Sequence, residues 1–148
     1  PLGAWMADLA DAAGVEGALH VQTARTGQPI LNGGICLTAR DLCRYGAIFA
    51  RMGAGVEGRP FGSAAFLRAT QAGGIPMPAP RVHLRYSNQT NTDGVWFGHG
   101  GYGGQYMVAN PDTGRVAVFL SVLQDEDGYD SDSYPPIFAM LSEICAGT

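Results

Sequence analysis

Residues 96–108 of the chain read WFGHGGYGGQYMV and carry its strongest structural signal. Five of the seven positions from Gly98 to Gly104 are glycine, so the backbone there can approach other groups closely and adopt unusual dihedral angles. An aromatic, apolar run enters this loop and an alternating run leaves it, which is typical of strands on both sides. The loop contains a single imidazole, His99. We interpret it as one wall of an active site.

The same loop satisfies the dinucleotide-binding pattern G-x-G-x-x-G from Gly98 to Gly103. That pattern binds a dinucleotide only when a helix follows it directly. Residues 105–108 instead alternate in polarity and lead into a Pro-Asp-Thr-Gly turn at 111–114. The sequence therefore predicts a strand after the glycines and argues against a dinucleotide site.

Size and composition indicate a folded domain with a substantial core. The chain has 148 residues, of which 46% are hydrophobic and 15% charged, a balance typical of globular proteins. A net charge of −4 offers no basic surface, so we expect no nucleic-acid partner. No apolar run approaches the roughly 20 residues of a membrane span. The first residues carry no signal-peptide pattern; the compartment is not fixed, although the cytoplasm is favoured.

Neither the cysteines nor the other candidate ligands form a metal-binding pattern. We interpret three cysteines as buried free thiols rather than a disulfide: Cys36, Cys43 and Cys145. The three histidines lack metal-ligand spacing: His20, His83 and His99. The acidic run at 125–132 lacks the glycine and terminal glutamate of a calcium-binding loop. No metal and no cofactor is expected.

The first half of the chain predicts helices. The clearest lies within residues 33–53, where Thr38 is the expected N-cap, Asp41 lies in the first turn and Gly53 ends the helix. Its arginines at 40, 44 and 51 are expected on a solvated face, with an ion pair as the alternative for Arg40. A second helix should start after Ser63 and end at 73–74. Weaker patterns predict a short helix near Trp5 and an extended piece at 20–23.

Residues 73–81 contain three prolines and cannot form a helix or a central strand. We place the organisational boundary there. Residues 1–81 are expected to form part of a helical subdomain, and residues 82–148 a sheet with a C-terminal helix.

In the second half of the chain, apolar and polar residues begin to alternate with a period of two. Strands are predicted over 83–90, 94–98, 104–110 and 115–122. The 111–114 turn should join the last two as a hairpin. Both faces of 115–122 are apolar, which predicts a central strand covered on each side. An acidic loop at 124–134 should lead into a final helix, opened by Pro135 and Pro136, that packs on the sheet. The predicted fold class is α+β.

Two segments carry a family resemblance. Residues 34–46, GICLTARDLCRYG, resemble the GG-x-x-x-T-A-R-D-L-x-R-F-G segment of the serine β-lactamase-like hydrolases. Residues 98–105, GHGGYGGQ, followed by NPDTG at 110–114, resemble the third motif of that superfamily, Lys/His-Thr-Gly. The superfamily includes class C β-lactamases, D-alanyl-D-alanine peptidases, esterases and 6-aminohexanoate-oligomer hydrolases. The opening Pro-Leu-Gly and the G-G-Q ending are more similar to its amide-hydrolase and esterase branch.

The resemblance implies roles for the loop residues. His99 takes the place of the motif's Lys or His, whereas Gly100 replaces its Thr and so lacks the hydroxyl. The backbone N–H of Tyr102 would be one of two oxyanion-hole donors, the other belonging to the nucleophilic serine. The catalytic candidates are thus Tyr102 and His99. The expected substrate-binding residues belong to the same stretch: Gly100, Gly101, Gly103 and Trp96.

The family nucleophile is absent from this chain. It lies in a Ser-x-x-Lys motif, and all nine basic residues here are arginine. Tyr86-Ser87-Asn88 spells the family's second motif, but it follows the helix that the motif normally precedes. We interpret it as a coincidence and Tyr86 as a structural residue.

The sequence therefore predicts the C-terminal half of a β-lactamase-like serine hydrolase that cleaves a small amide or ester through an acyl-enzyme. Without the nucleophile it should be inactive alone, and its expected partner is the missing N-terminal half of the same fold. A sheet lacking that half should expose an edge and associate with itself. The alternative is a non-catalytic module that binds a ligand or partner on the same fold.

Overall fold

The structure, a computed structural model, describes residues 2–31, 33–122 and 134–147. Within them the α-helices are α1 (Leu2–Ala13), α2 (Ala39–Ala50), α3 (Ala64–Ala72) and α4 (Tyr134–Ala146). The strands of the same residues are β1 (His20–Val21), β2 (Ile35–Cys36), β3 (Ile75–Pro76), β4 (Arg85–Ser87), β5 (Thr90–Thr92), β6 (Phe97–Gly101), β7 (Gln105–Asn110) and β8 (Arg115–Phe119). The α+β prediction is confirmed.

The strands form two antiparallel sheets. β1 and β2 make a small ribbon, and β3 to β8 make a six-stranded sheet in chain order. The predicted hairpin at 111–114 is confirmed, because Asn110 pairs with Arg115 across that turn. None of the helices in the described residues combines the length and the apolar character needed to cross a bilayer.

The two main helices begin at the predicted caps. Thr38 accepts a hydrogen bond from the Asp41 amide at the start of α2, and Ser63 accepts one from the Phe66 amide at the start of α3. Each cap satisfies an amide that has no partner inside the helix. The helix predicted near Trp5 is also present as α1.

Two helices cover opposite faces of the sheet at β7 and β8. Gly46 of α2 lies against Met107 and Val116, whereas the next strand residues, Val108 and Ala117, belong to the buried cluster under α4. Consecutive strand residues point to opposite faces, so α2 and α4 lie on either side. The helix from the first half thus packs on strands of the second; the division at 73–81 stays a prediction.

The larger hydrophobic core lies between the sheet and α4. It buries Leu84, Trp96, Tyr106, Val108, Ala117, Phe138, Leu141 and Cys145. A smaller cluster between α1 and α2 is formed by Ala12, Ala13 and Ile48. The larger core packs against β7 on one face of the sheet, and α2 packs against β7 on the other face.

One predicted strand is in fact a hairpin. Instead of a single strand over 83–90, β4 and β5 pair through Ser87 and Thr90 around a two-residue turn. Asn88 and Gln89 both have positive φ, 46° and 65°, which is the geometry of tight hairpin turns. The strand predicted over 94–98 starts later, at Phe97.

The prediction for the strand at 115–122 is half right. β8 is covered on both faces by α2 and α4, but it is the outermost strand of the sheet in the described residues, not a central one. A pattern of apolar residues indicates which faces of a strand are covered, but it does not indicate whether another strand pairs with its edge. Residues 73–81 were predicted to form neither a helix nor a central strand. This is confirmed, because their strand, β3, is the outer strand at the end of the sheet opposite β8.

The cysteine prediction is confirmed only in part. All three are free, but Cys36 is exposed and Cys43 half-buried, and Cys145 alone is buried. Cys36 is exposed because it lies on the β1–β2 ribbon, away from both hydrophobic clusters. Burial raises the pKa of the Cys145 thiol. The acidic run and most of the predicted acidic loop lie outside the described residues.

Candidate active site

The glycine loop forms the end of β6, a tight turn and the start of β7. Gly101 pairs with Gln105, so residues 102–104 close the hairpin. Gly103 and Gly104 have φ of 77° and 84°, a conformation that side chains with a Cβ rarely adopt. A strand, not a helix, follows Gly104. The structure thus confirms the predicted strand, and the helix that a dinucleotide-binding G-x-G-x-x-G pattern requires does not follow the loop.

Close backbone approach accounts for the glycine that begins the loop. A Cβ on Gly98 would come within 2.7 Å of the Trp96 ring and 2.8 Å of the Met107 carbonyl oxygen. Glycine here lets the Trp96 indole lie across the strand, which holds β6 against the core. The site is therefore built on a packed strand rather than on a free loop.

The edge of β6 is open where the candidate residues lie. β5 pairs only with Phe97 and Gly98, so in the described residues β6 has no neighbour on that side from His99 onward. Tyr102 lies beyond the strand, 72% exposed. Its amide donates to no backbone carbonyl of the described residues. The structure thus brings His99, Gly100 and Gly101 together with an amide that has no backbone partner in the part of the chain that is described.

His99 lies on the α2 face of the sheet. Phe97, two residues earlier on the same face, packs against Phe49 of α2 with ring centroids 5.8 Å apart. The His99 side chain is exposed, and its ring lies 6.4 Å from the ring of Tyr86, inclined by 61°. An imidazole in this position is accessible to a small molecule and is bordered by an aromatic ring.

Tyr86 is a site neighbour that the sequence interpretation missed. It lies on β4, and its hydroxyl donates to the Gln89 carboxamide oxygen at 3.0 Å. Two residues further on, the side-chain carboxamide of Asn88 donates to the Thr70 hydroxyl on α3 at 2.9 Å, so the hairpin that carries Tyr86 is anchored. The Tyr-Ser-Asn triplet drew attention to this residue, but only the β4–β5 hairpin brings it to His99.

The carbonyls of the turn are held by two polar side chains. Ser121 donates to the Gly104 carbonyl at 2.9 Å, and the Gln105 carboxamide donates to the carbonyls of Gly103 and Ser121. With its carbonyls bound in this way, the turn fixes the position of the Tyr102 amide. Gln105 belongs to the G-G-Q motif that the sequence analysis named, whereas no sequence pattern indicated a role for Ser121.

Trp96 is not brought to the site. It is 4% exposed and stacks on Phe138 of α4 with centroids 5.5 Å apart. Because it shares the α4 side with that ring, it lies on the face of the sheet opposite His99. Its expected contact with substrate finds no support in this geometry. Gly103, in contrast, lies in the turn beside Tyr102.

The Thr-Ala-Arg-Asp segment is a structural clamp rather than part of the site. Asp41 accepts hydrogen bonds from the amides of Glu16 and Gly17, both at 3.1 Å, and from the Arg44 guanidinium at 2.8 Å. The Glu16 amide, followed by Arg44, lowers the pKa of Asp41 from 3.8 to about 2. Arg44 also pairs with Glu16 at 2.5 Å, so the ion pair considered for Arg40 belongs to Arg44. This network fixes α2 to the end of α1.

The described part of the chain contains no cluster of three or more His, Cys, Asp or Glu side chains that could hold a metal ion. The candidate site is accordingly described by its imidazole, its glycine backbone and one amide.

Fold and site together define an α+β protein with a glycine-lined strand end that carries an exposed histidine and, among the described residues, an amide without a backbone partner. The family model described as Beta-lactamase matches residues 2–138. The chain belongs to the Beta-lactamase family, which supports a serine hydrolase-like fold. No match to a curated protein was found.

Proposed function

We propose that this chain supplies one wall of the acyl-transfer site of a serine hydrolase that cleaves a small amide or ester. The observation that carries the proposal is the Tyr102 amide, which has no backbone partner among the described residues and follows a strand edge open from His99 onward. Acyl transfer needs a fixed donor where the carbonyl oxygen becomes negative, and this amide is a fixed and accessible donor.

In the proposed reaction a serine hydroxyl attacks the substrate carbonyl and forms an acyl-enzyme, which water then hydrolyses. Negative charge develops on the carbonyl oxygen in both steps, and the Tyr102 N–H donates to it. One such donor contributes about 3 kcal/mol to transition-state stabilisation. The exposed His99 ring, bordered by Tyr86, orients the acyl group or adjusts the electrostatics of the site.

The nucleophile of the proposed reaction comes from a partner. The chain contains no lysine, and therefore no Ser-x-x-Lys motif. We propose that a polypeptide carrying this motif, corresponding to the other half of the same fold, completes the site at the open end of β6. The chain alone is then inactive.

The test is acylation by a chromogenic ester and a fluorescent penicillin, in two arms. The isolated chain should give no burst of product and no labelled band. Mixing it with a separately expressed Ser-x-x-Lys polypeptide of the same family should give labelling that depends on both components. Steady turnover by the isolated chain would contradict the proposal. Labelling in neither arm would favour the alternative, a non-catalytic binding module.

A further inference from the structure

We propose that a cavity beside α4 binds a small aromatic amine, meaning one ring with a short chain that ends in a protonated nitrogen. The cavity has a volume of about 260 Å³ and lies between residues 135–142 of α4 and the two loops that precede β4 and β6. Its lining includes none of the residues of the proposed acyl-transfer wall, and Trp96, which it does include, lies on the face of the sheet opposite His99. The cavity is a second site, independent of the proposed function.

The α4 side of the cavity is an apolar stripe with one hydroxyl. Residues at the spacing i, i+3, i+4 and i+7 lie on one face of a helix, and the lining follows this spacing: Pro135, Phe138, Ala139 and Ser142. Phe138 is 2% exposed and belongs to the larger hydrophobic core, so this side of the cavity is anchored. Three of the four side chains are apolar, which suits the ring of an aromatic ligand.

Trp96 lines the opposite side. Its ring stacks on Phe138 with centroids 5.5 Å apart, and a Cβ on Gly98 would meet its Cζ3 and Cε3 atoms at 2.7 and 3.2 Å. That edge of the indole therefore lies over β6, and the opposite edge, which carries Nε1, points away from the strand. Nε1 donates to no group of the described residues, and it is not sealed either, since the one fully enclosed side-chain atom without a partner among them is Asn91 Oδ1. Among these residues the indole N–H is an unused donor on a side chain that lines the cavity.

Asp93 gives the cavity its charge. One carboxylate oxygen, Oδ1, accepts hydrogen bonds from the amides of Val95 at 2.8 Å and Trp96 at 3.2 Å, which holds the carboxylate beside the indole. The other oxygen accepts no hydrogen bond from the described residues, so it is available to a ligand N–H. The lining contains no arginine and the chain has no lysine. The cavity therefore favours a cationic nitrogen and repels an anion.

His83 and Ser142 supply further hydrogen-bonding groups. Neither side chain is hydrogen-bonded to another described residue, and each can donate or accept. The Leu84 amide donates to the Arg81 carbonyl at 2.9 Å and the Leu84 side chain is fully buried, so the turn that carries His83 is fixed. No hydrogen bond links Ser142, His83 and Asp93 to one another among the described contacts, so the nucleophile–base pair of a catalytic triad is not formed. The arrangement supports binding rather than a second catalytic centre.

The volume of the cavity limits the size of the ligand. An apolar cavity of about 150 Å³ accepts benzene, whereas pockets for drug-sized molecules start at about 300 Å³. A cavity of about 260 Å³ therefore fits one aromatic ring with a chain of about two or three atoms. Phenethylamine has this size: its ring packs on the apolar stripe of α4 and its ammonium group binds the Asp93 carboxylate.

The experiment is a titration of the ¹⁵N-labelled chain with phenethylamine, followed by nuclear magnetic resonance. The chain has two tryptophans, so the indole N–H of Trp5, an exposed residue of α1, is an internal control for that of Trp96. The Trp96 signal should shift and saturate with a Kd of about 1 mM or lower, while the Trp5 signal stays in place. Phenethyl alcohol, which lacks the charge, should bind about tenfold more weakly, and phenylacetate should give no shift.

Three variants test the lining. Asp93→Asn keeps the Oδ1 acceptor for the two amides but removes the charge, so it should weaken phenethylamine binding by about tenfold or more. Asp112→Asn, at an exposed aspartate of the turn between β7 and β8, is the matched control and should bind like the wild type. Ala139→Leu fills the cavity from an exposed position on α4; it should abolish the Trp96 shift and keep the wild-type circular dichroism, which preserves the test if Asp93→Asn unfolds.

The proposal is overturned if the wild type gives no saturable Trp96 shift, if the three ligands bind equally, or if the two aspartate variants bind equally. Unchanged binding in Ala139→Leu would overturn it as well. A last arm adds the Ser-x-x-Lys polypeptide, and phenethylamine should bind the mixture with the same affinity. Loss of the Trp96 shift there would show that the other half of the fold covers the cavity, which also contradicts the proposal. Failure of acylation in that mixture would not change the titration of the chain alone.

Discussion

At the scale of single residues, the proposed chemistry depends on a backbone group rather than on a side chain. The Tyr102 amide is placed by the turn that Gln105 and Ser121 hold through its carbonyls. The Tyr102 side chain itself points into solvent, 72% exposed. Most substitutions of Tyr102 should therefore preserve the proposed function, and only removal of the N–H should abolish it.

Proline tests that amide directly. Tyr102→Pro removes the donor, and the extended Gly101 before it is compatible with a following proline. In the two-component acylation mixture, Tyr102→Pro should lower kcat by about 10²- to 10³-fold. Tyr102→Ala, the matched control, keeps the amide and should stay within a few-fold of wild type. Equal activity of the two variants would show that this N–H is not the oxyanion donor.

Asp41 gives a prediction on pH. Its pKa is lowered from 3.8 to about 2 in the folded chain, so folding favours its charged form. The stability that it contributes is complete above about pH 4 and is lost as the pH falls towards 2. Chemical denaturation between pH 2 and 6 should show this acid loss, and Asp41→Asn should flatten it. If Asp11→Asn, an exposed aspartate on α1, flattens the profile equally, the Asp41 network is not its source.

The sequence located some of these residues and missed others for a physical reason. His99, the glycines and Tyr102 are adjacent in sequence, so a local pattern sufficed to group them. Tyr86 joins them only through the β4–β5 hairpin, which local patterns do not encode. Trp96 is adjacent in sequence but points to the other face, because side chains alternate along an extended chain.

At the scale of elements, the sequence predicted what depends on local chemistry. The caps Thr38 and Ser63 mark the starts of α2 and α3 as expected, and the turn at 111–114 joins β7 to β8. The turn at Asn88 and Gln89 was not predicted, although asparagine is common in such turns, because the strand pattern was extended across it. The outer position of β8 among the described strands was not predicted, because an apolar pattern indicates covered faces and not the number of strand neighbours.

The β6–β7 hairpin can be tested through its first glycine. In Gly98→Ala the new Cβ would meet the Trp96 ring at 2.7 Å and the Met107 carbonyl at 2.8 Å. Such overpacking should lower the free energy of unfolding by about 1–3 kcal/mol, measured by chemical denaturation. Gly3→Ala on α1, with nothing within 4 Å of the added atom, should leave stability unchanged or raise it by up to about 1 kcal/mol. Similar losses in both variants would contradict the close approach at β6.

At the scale of the whole molecule, the described residues form a sheet between helices, and two of its strand edges have no neighbouring strand among these residues. One is the edge of β6 from His99 onward, and the other is the outer edge of β8.

The most direct test of the proposed role of Tyr102 is its amide signal in a nuclear magnetic resonance spectrum. The ¹⁵N-labelled chain is mixed with the Ser-x-x-Lys polypeptide and then treated with a phosphonate that labels the serine and leaves a negative oxygen in the site. The Tyr102 amide proton should move strongly downfield on labelling, while the amide of Gly3, far along the chain on α1, should not move. A labelled serine with an unmoved Tyr102 amide would contradict the oxyanion role.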